Sequence, residues 1–381
     1  MNYGFLSTYP PTECGLATFS AALLAELRDG HAPSTVGVVR IVDRPHRGAS
    51  DEVVHHLVAN SPGGEAEAAA VLSGFDVAVV QHEFGIYGGP DGDQILSVLD
   101  GLRVPSIVVL HTVLEDPTAH QRTVFEELLK VADVVVTMTT TARRRLHNAY
   151  SVDPGRVALI PHGAPDNRAA GRRARAGRNA PGGRPTILTW GLLGPGKGIE
   201  WVIDAVSRLC HLDPAPRYLV AGETHPKVVE RHGQAYRRAL IARAEERGVG
   251  HLVEFDDRYL DVPALCRMVA DADVVILPYD SGEQVTSGVL VEALASAKPV
   301  IATGFPHAVE LLGGGAGLVV PHRDPAAMAA ALELVLTDPA VAAGLAVRAA
   351  ALAPELLWPA VADRYRALAA GLRETSASVL A

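Results

Sequence analysis

Cysteine is scarce in this 381-residue chain: Cys14, Cys210 and Cys266 stand far apart. An odd count without Cys-x-x-Cys spacing argues against a disulfide framework or a zinc knuckle, and a reducing, cytoplasmic setting is expected. A net positive charge is also lacking. The formal net charge is -9, which argues against general nucleic-acid or anionic-membrane binding. No stretch of about 18 uncharged apolar residues occurs, so no membrane span is expected. The first residues have neither a basic start nor a long apolar run, so no signal peptide is expected.

Hydrophobic residues make up 48% of the chain and charged residues 20%, a globular composition. The length exceeds one ordinary core and suits two domains. Short apolar, β-rich runs lie at 3–7, 36–42, 76–80, 106–110, 134–137 and 157–160. A second set lies at 186–190, 218–221, 252–255, 274–277, 300–302 and 318–320. Most are continuous rather than alternating, as strands of helix-covered parallel sheets are. The intervals fit βα crossovers. The expected fold class is therefore α/β, with doubly wound domains at 1–168 and 185–353. The basic Gly/Ala/Arg segment 169–184 is expected to be a linker; no aromatics interleave with its arginines as a nucleic-acid stacking site requires. In the segment 354–381, Leu357, Val361, Tyr365, Leu368 and Leu372 mark one face of a helix, expected to pack back on the first domain.

Ligands of open α/β sheets bind beyond the carboxyl ends of the strands, so the chemistry is sought there, with a cleft between the domains as the expected site. After 186–190 comes Gly191-Leu192-Leu193-Gly194-Pro195-Gly196-Lys197-Gly198. Glycines allow close backbone approach to a phosphate and the lysine supplies charge; a plain turn with a solvated lysine is the alternative. After 274–277, Ser287 is placed to cap a helix whose first N–H groups form an anion site. Glu292, a turn later, suits a pair of ribose hydroxyls. Asp271-Ala272-Asp273 has the form of a metal-binding pair, but the same Ala-Asp-Val-Val pattern leads into the run at 134–137, so it reads as the chemistry of starting a strand.

The segment 284–302, with Glu292-Ala293-Leu294-Ala295 and Lys298-Pro299-Val300-Ile301, resembles the signature of retaining glycosyltransferases of family 4, which have the GT-B fold of two Rossmann-like domains facing across a cleft. The loop 191–198 resembles their phosphate loop. The resemblance implies that Lys197 neutralises a donor diphosphate and that Glu292 holds the ribose. It also implies that Gly191, Gly198, Gly222, Thr286, Ser287 and Gly288 line the donor. Two positions depart from the family pattern. Gln284 stands where the first glutamate of Glu-x7-Glu belongs, and is expected to touch the transferred sugar. Leu192 stands where an arginine often precedes the phosphate-loop lysine.

In the first half, Gly15 resembles the glycine that approaches the donor phosphates, although a tight turn would also require it. His111, directly after a buried strand, matches a histidine that faces the transferred sugar. His82, Glu83 and Tyr87 lie in a mixed polar and aromatic stretch suited to an acceptor. Pro161-His162-Gly163 resembles the loop near the interdomain hinge. The expected activity is metal-free, retaining transfer from a nucleotide sugar, with UDP- or GDP-sugar as donor, to an unidentified sugar or small-molecule acceptor. No separate cofactor is expected. The alternative is a non-catalytic sugar-nucleotide-binding protein or partner subunit, motivated by Gln284 and Leu192. An epimerase or sugar phosphorylase of the same fold ranks below both.

Overall fold

The computed structural model describes residues 1–29, 34–44, 50–168 and 183–380. The expected linker lies outside the described residues from 169 to 182. The chain forms two compact units, residues 1–163 with 358–381, and residues 164–357.

The first unit contains β1 (Tyr3–Ser7), β2 (Val36–Val42), β3 (Val53–Val58), β4 (Val77–His82), β5 (Ser106–Leu110), β6 (Val134–Thr137) and β7 (Val157–Leu159), in the order β3-β2-β1-β4-β5-β6-β7. The second contains β8 (Thr186–Trp190), β9 (Arg217–Ala221), β10 (Val253–Asp256), β11 (Val274–Leu277), β12 (Val300–Thr303) and β13 (Leu318–Val320), in the order β10-β9-β8-β11-β12-β13. Every pairing between these strands is parallel. Strands β1, β4, β5, β6, β8 and β11 are buried along their whole length, which explains why their sequences are largely apolar and do not alternate.

Strand β3 has no counterpart among the runs expected from sequence. It is an edge strand in which His55 and His56 interrupt the valines, and only Leu57 is fully buried. Strand β4 also extends past its apolar part to Gln81 and His82. Those polar residues are therefore strand ends and not loop.

In each sheet the winding direction reverses beside the first strand, between β1 and β4 and between β8 and β11. These are the switch points at which such sheets open a crevice for ligands. Three aspartates explain how the neighbouring strands are set. Asp76 accepts the Asn2 N–H at 2.7 Å, Asp133 accepts the Ser106 N–H at 2.8 Å, and Asp273 accepts the Thr186 N–H at 2.8 Å. Each aspartate opens one strand and holds the backbone at the start of its neighbour. Asp273 is thus occupied in fixing β11 against β8.

The helix Trp358–Leu380 belongs to the first unit. Its Trp358, Val361, Ala362, Tyr365 and Ala369 join the core formed by Tyr3, Phe5, Phe19 and Leu23. Leu357, expected on the same face, instead adopts an extended conformation after the helix Pro339–Leu356 and packs with the second core. The chain passes between units twice, at 163–164 and at 357–358, and the Ala164 N–H donates to the Leu356 carbonyl at 2.8 Å. A Cβ on Gly163 would collide with the Trp358 ring, so this passage requires glycine. One helix among the described residues, Pro339–Leu356, has the length and apolar composition of a membrane span. A search for uncharged runs passes it over because it contains Arg348 and Glu355. Its Leu345, Ala349 and Ala353 are buried, and Arg348 donates to the Gly314 carbonyl at 3.0 Å.

Candidate functional site

The loops after β8 and β11 lie on either side of the second unit's switch point, and they are tied to each other. The Asp280 N–H donates to the Gly196 carbonyl at 2.9 Å. The Asp280 carboxylate accepts from Trp201 Nε1 at 3.0 Å and pairs with Arg323 Nε at 3.2 Å. Gly198 has φ +68°, and a Cβ there would strike the Pro278 carbonyl. Only glycine lets the backbone pass so close with that conformation. Lys197, one residue earlier, carries its Nζ 4.5 Å from the centre of the Tyr279 ring. Tyr279 is itself fixed: it stacks on Phe305 at 5.1 Å, and its carbonyl accepts from Thr303 Oγ1 at 2.6 Å. The ammonium is therefore held over a rigid aromatic face at the switch point, where a cation–π contact orients it.

The loop ahead of the helix Gly288–Ala295 is equally constrained. Gln284 Nε2 donates to the Thr286 carbonyl at 2.9 Å. Ser287 Oγ accepts the Leu290 N–H at 3.2 Å, so Ser287 is the N-cap. The Ser287 N–H, expected to serve an anion, is instead donated to His307 Nδ1 at 2.8 Å. The first-turn amides of Gly288 and Val289 have no partner within the helix.

Glu292 lies on that helix and accepts from Trp190 Nε1 at 3.2 Å. Enclosure of its carboxyl raises the pKa from the ordinary 4.5 to about 7, and the Trp190 hydrogen bond opposes the rise. Gly222 follows β9, with its N–H on the Asp256 carbonyl at 2.8 Å. Its own carbonyl accepts from the buried guanidinium of Arg237. Leu192, at the family's arginine position, is half-buried beside Gly191.

In the first unit, Gly15 opens the helix Gly15–Asp29 after β1. A Cβ there would meet nothing within 4 Å, and its φ is not positive. Neither packing nor a turn requires glycine at that position. His111 follows β5, and its Nε2 lies 2.7 Å from Gln81 Oε1. The residue keeps some surface, but its ring is enclosed. Burial, with smaller contributions from His162 and His82, lowers its pKa to about 3, so the ring is neutral at pH 7. Phe19 contacts the rings of His111, His162 and Trp358 edge-on, at 5.1, 5.0 and 5.2 Å. Glu83 accepts from Thr112 Oγ1 at 2.5 Å, which brings the ends of β4 and β5 together.

The expected acceptor contacts His82 and Tyr87 need correction. His82 is buried against Phe84 and Phe125. Tyr87 is buried and donates to the Gln81 carbonyl at 2.6 Å. Both support the loop from inside and leave Glu83 as the more exposed of the three. Sequence reading missed Asp280 and His307. The signal for His307 was the one used for His111, a histidine just beyond a buried parallel strand. Among the described residues, no cluster of three or more His, Cys, Asp or Glu side chains is arranged to hold a metal ion.

Residues 184–338 match the model of the family described as glycosyl transferases group 1. The D-inositol 3-phosphate glycosyltransferase of Kineococcus radiotolerans is 30% identical over 267 residues, 62% of this chain and 57% of that one; the alignment thus spans less than two thirds of the relative's length. The Corynebacterium efficiens enzyme of the same name is 27% identical over 354 residues, 87% of this chain and 80% of that one. Among solved structures, Anabaena HepE in complex with UDP superposes with a TM-score of 0.74 at 18% identity, covering 97% of this chain and 100% of that one. Sucrose-phosphate synthase from Thermosynechococcus elongatus gives 0.76 at 20% identity, covering 98% and 100%.

Proposed function

We propose that this chain, which has the GT-B fold and whose residues 184–338 match the glycosyl transferases of group 1, transfers a sugar from a nucleoside-diphosphate sugar to an acceptor hydroxyl, with retention of configuration and without a metal ion. The observation that carries this reading is the switch point of the second unit, where Lys197 is held over Tyr279 and Glu292 sits on the helix that Ser287 caps. HepE, whose fold this chain shares, binds UDP, which favours a UDP-sugar and leaves a GDP-sugar as the second choice. The relatives named for D-inositol 3-phosphate favour a polyhydroxylated small molecule as acceptor.

The chemistry follows from where charge develops. The bond from the sugar's anomeric carbon to the diphosphate breaks, and negative charge grows on the leaving oxygen. Lys197 and the amides of Gly288 and Val289 offset that charge, and being already fixed they need little reorganisation. Glu292 takes the ribose hydroxyls through its carboxylate oxygens. The acceptor hydroxyl attacks from the face the diphosphate leaves. Its oxygen bonds to the anomeric carbon, and its proton passes to the departing phosphate oxygen. No side-chain base is needed, so glutamine at position 284 is compatible with turnover. The neutral ring of His111 acts by hydrogen bonding to the sugar and not by charge.

A thermal-shift screen against UDP, GDP, ADP and dTDP tests the donor class, because a ligand stabilises in proportion to the logarithm of its concentration over Kd. A shift with UDP or GDP and slow release of the nucleotide from the matching sugar donor are expected. Binding without transfer or donor hydrolysis would favour a non-catalytic partner subunit. No shift with any nucleotide would overturn the donor reading.

A further inference from the structure

We propose that His307 is a positioning residue for the donor loop, its neutral imidazole taking the Ser287 N–H and so fixing which amides at the helix start face the leaving diphosphate. The inference rests on the donor site described above. His307 lies beyond β12, two residues into the helix Pro306–Leu312, and is only 2% exposed. It grips the loop twice. Its Nδ1 accepts the Ser287 N–H at 2.8 Å, and its own backbone N–H donates to the Gln284 carbonyl at 3.4 Å. A backbone amide can only donate. Nδ1 must therefore present its lone pair, and the neutral ring carries its proton on Nε2.

The consequence lies at the helix start. The N-cap amide is one of the groups that would otherwise compete for an anion arriving there. His307 removes it from that competition, while Ser287 Oγ takes the Leu290 N–H. The amides of Gly288 and Val289 remain. The same grip fixes the backbone at Gln284, the residue expected to touch the transferred sugar. A purely space-filling role would need only a side chain of the right size. The positioning role needs an acceptor at the place of Nδ1.

The test compares His307→Asn, His307→Gln and His307→Phe in the full chain. Asparagine can set its carbonyl oxygen where Nδ1 lies, glutamine reaches the place of Nε2, and phenylalanine keeps volume alone. Asn is expected to hold kcat for UDP-glucose or GDP-mannose turnover within about threefold of wild type, and Gln and Phe to lower it about tenfold with KM little changed, as loss of one buried acceptor implies. Amide exchange at Ser287 should follow the same order, slow in wild type and Asn and faster in Gln and Phe. Equal behaviour of all three variants, or unchanged Ser287 exchange in Phe, would overturn the proposal. If Phe fails to fold, Asn and Gln carry the comparison, since they differ by one methylene. A wild-type protein that binds neither UDP nor GDP counts against the donor reading alone, and the exchange order still decides the hold on Ser287.

Discussion

Gln284 donates its side-chain amide to the carbonyl of Thr286, two residues away, at 2.9 Å. The bond requires a donor on the side chain, and an ionised glutamate has none. Gln284→Glu would set a carboxylate oxygen against a carbonyl oxygen. Facing acceptors and one lost hydrogen bond cost about 1–3 kcal/mol, so Gln284→Glu should lower transfer about tenfold. Gln284→Ala should impair transfer more than nucleotide binding. Steady-state kinetics beside calorimetric nucleotide titration decides both. A Glu variant as fast as wild type would show that the loop does not depend on this amide.

Lys197→Ala should reduce transfer at least about 100-fold, the loss expected for one charge-stabilising group. The fold should survive, because the ammonium rests on Tyr279 at the surface of the site and not in the core. An unchanged rate at saturating donor would remove Lys197 from the leaving-group role.

Glu292 gives a pH signature. Its folded pKa of about 7 lies above the ordinary 4.5. The folded state therefore holds the proton more tightly, and stability is lost as pH rises from 4.5 through 7. Glu292→Gln should match wild type near pH 5 and exceed it near pH 8 by about 1–3 kcal/mol, the lower figure allowing for residual solvent contact. Denaturant melts at the two pH values measure this difference. Nucleotide affinity should rise through pH 7 in wild type, as the carboxylate forms, and stay flat in the Gln variant. Parallel pH curves for the two proteins would contradict an enclosed carboxyl.

Asp273→Ala should destabilise the protein by about 1–2 kcal/mol, through loss of a charge-assisted hydrogen bond to the start of β8. Magnesium or manganese should leave turnover unchanged in both wild type and variant. A metal-dependent rate that vanishes in Asp273→Ala would restore the Asp-x-Asp reading.

The sequence was most readable where burial is complete. Strands β5, β8 and β11 are fully buried and largely apolar, and the segments that follow them hold His111, Lys197 and the residues from Gln284 to Glu292. Edges were harder. In β3 two histidines stand among the valines because one side of an edge strand needs no apolar cover. Gln81 and His82 hid the end of β4 because their burial depends on partners the sequence does not announce. Asp280 and His307 escaped for the same reason: each acts on backbone that is remote in sequence, Gly196 in one case and Ser287 in the other.

The placement of Trp358 bears on how the molecule is made. Residues 164–357 are contiguous and can complete their core as soon as they have left the ribosome. The earlier residues 1–163 cannot, because Trp358, Val361 and Tyr365 fill the space around Phe5 and Phe19. The unit translated first is thus completed last, and until then its apolar face is open to aggregation and chaperones.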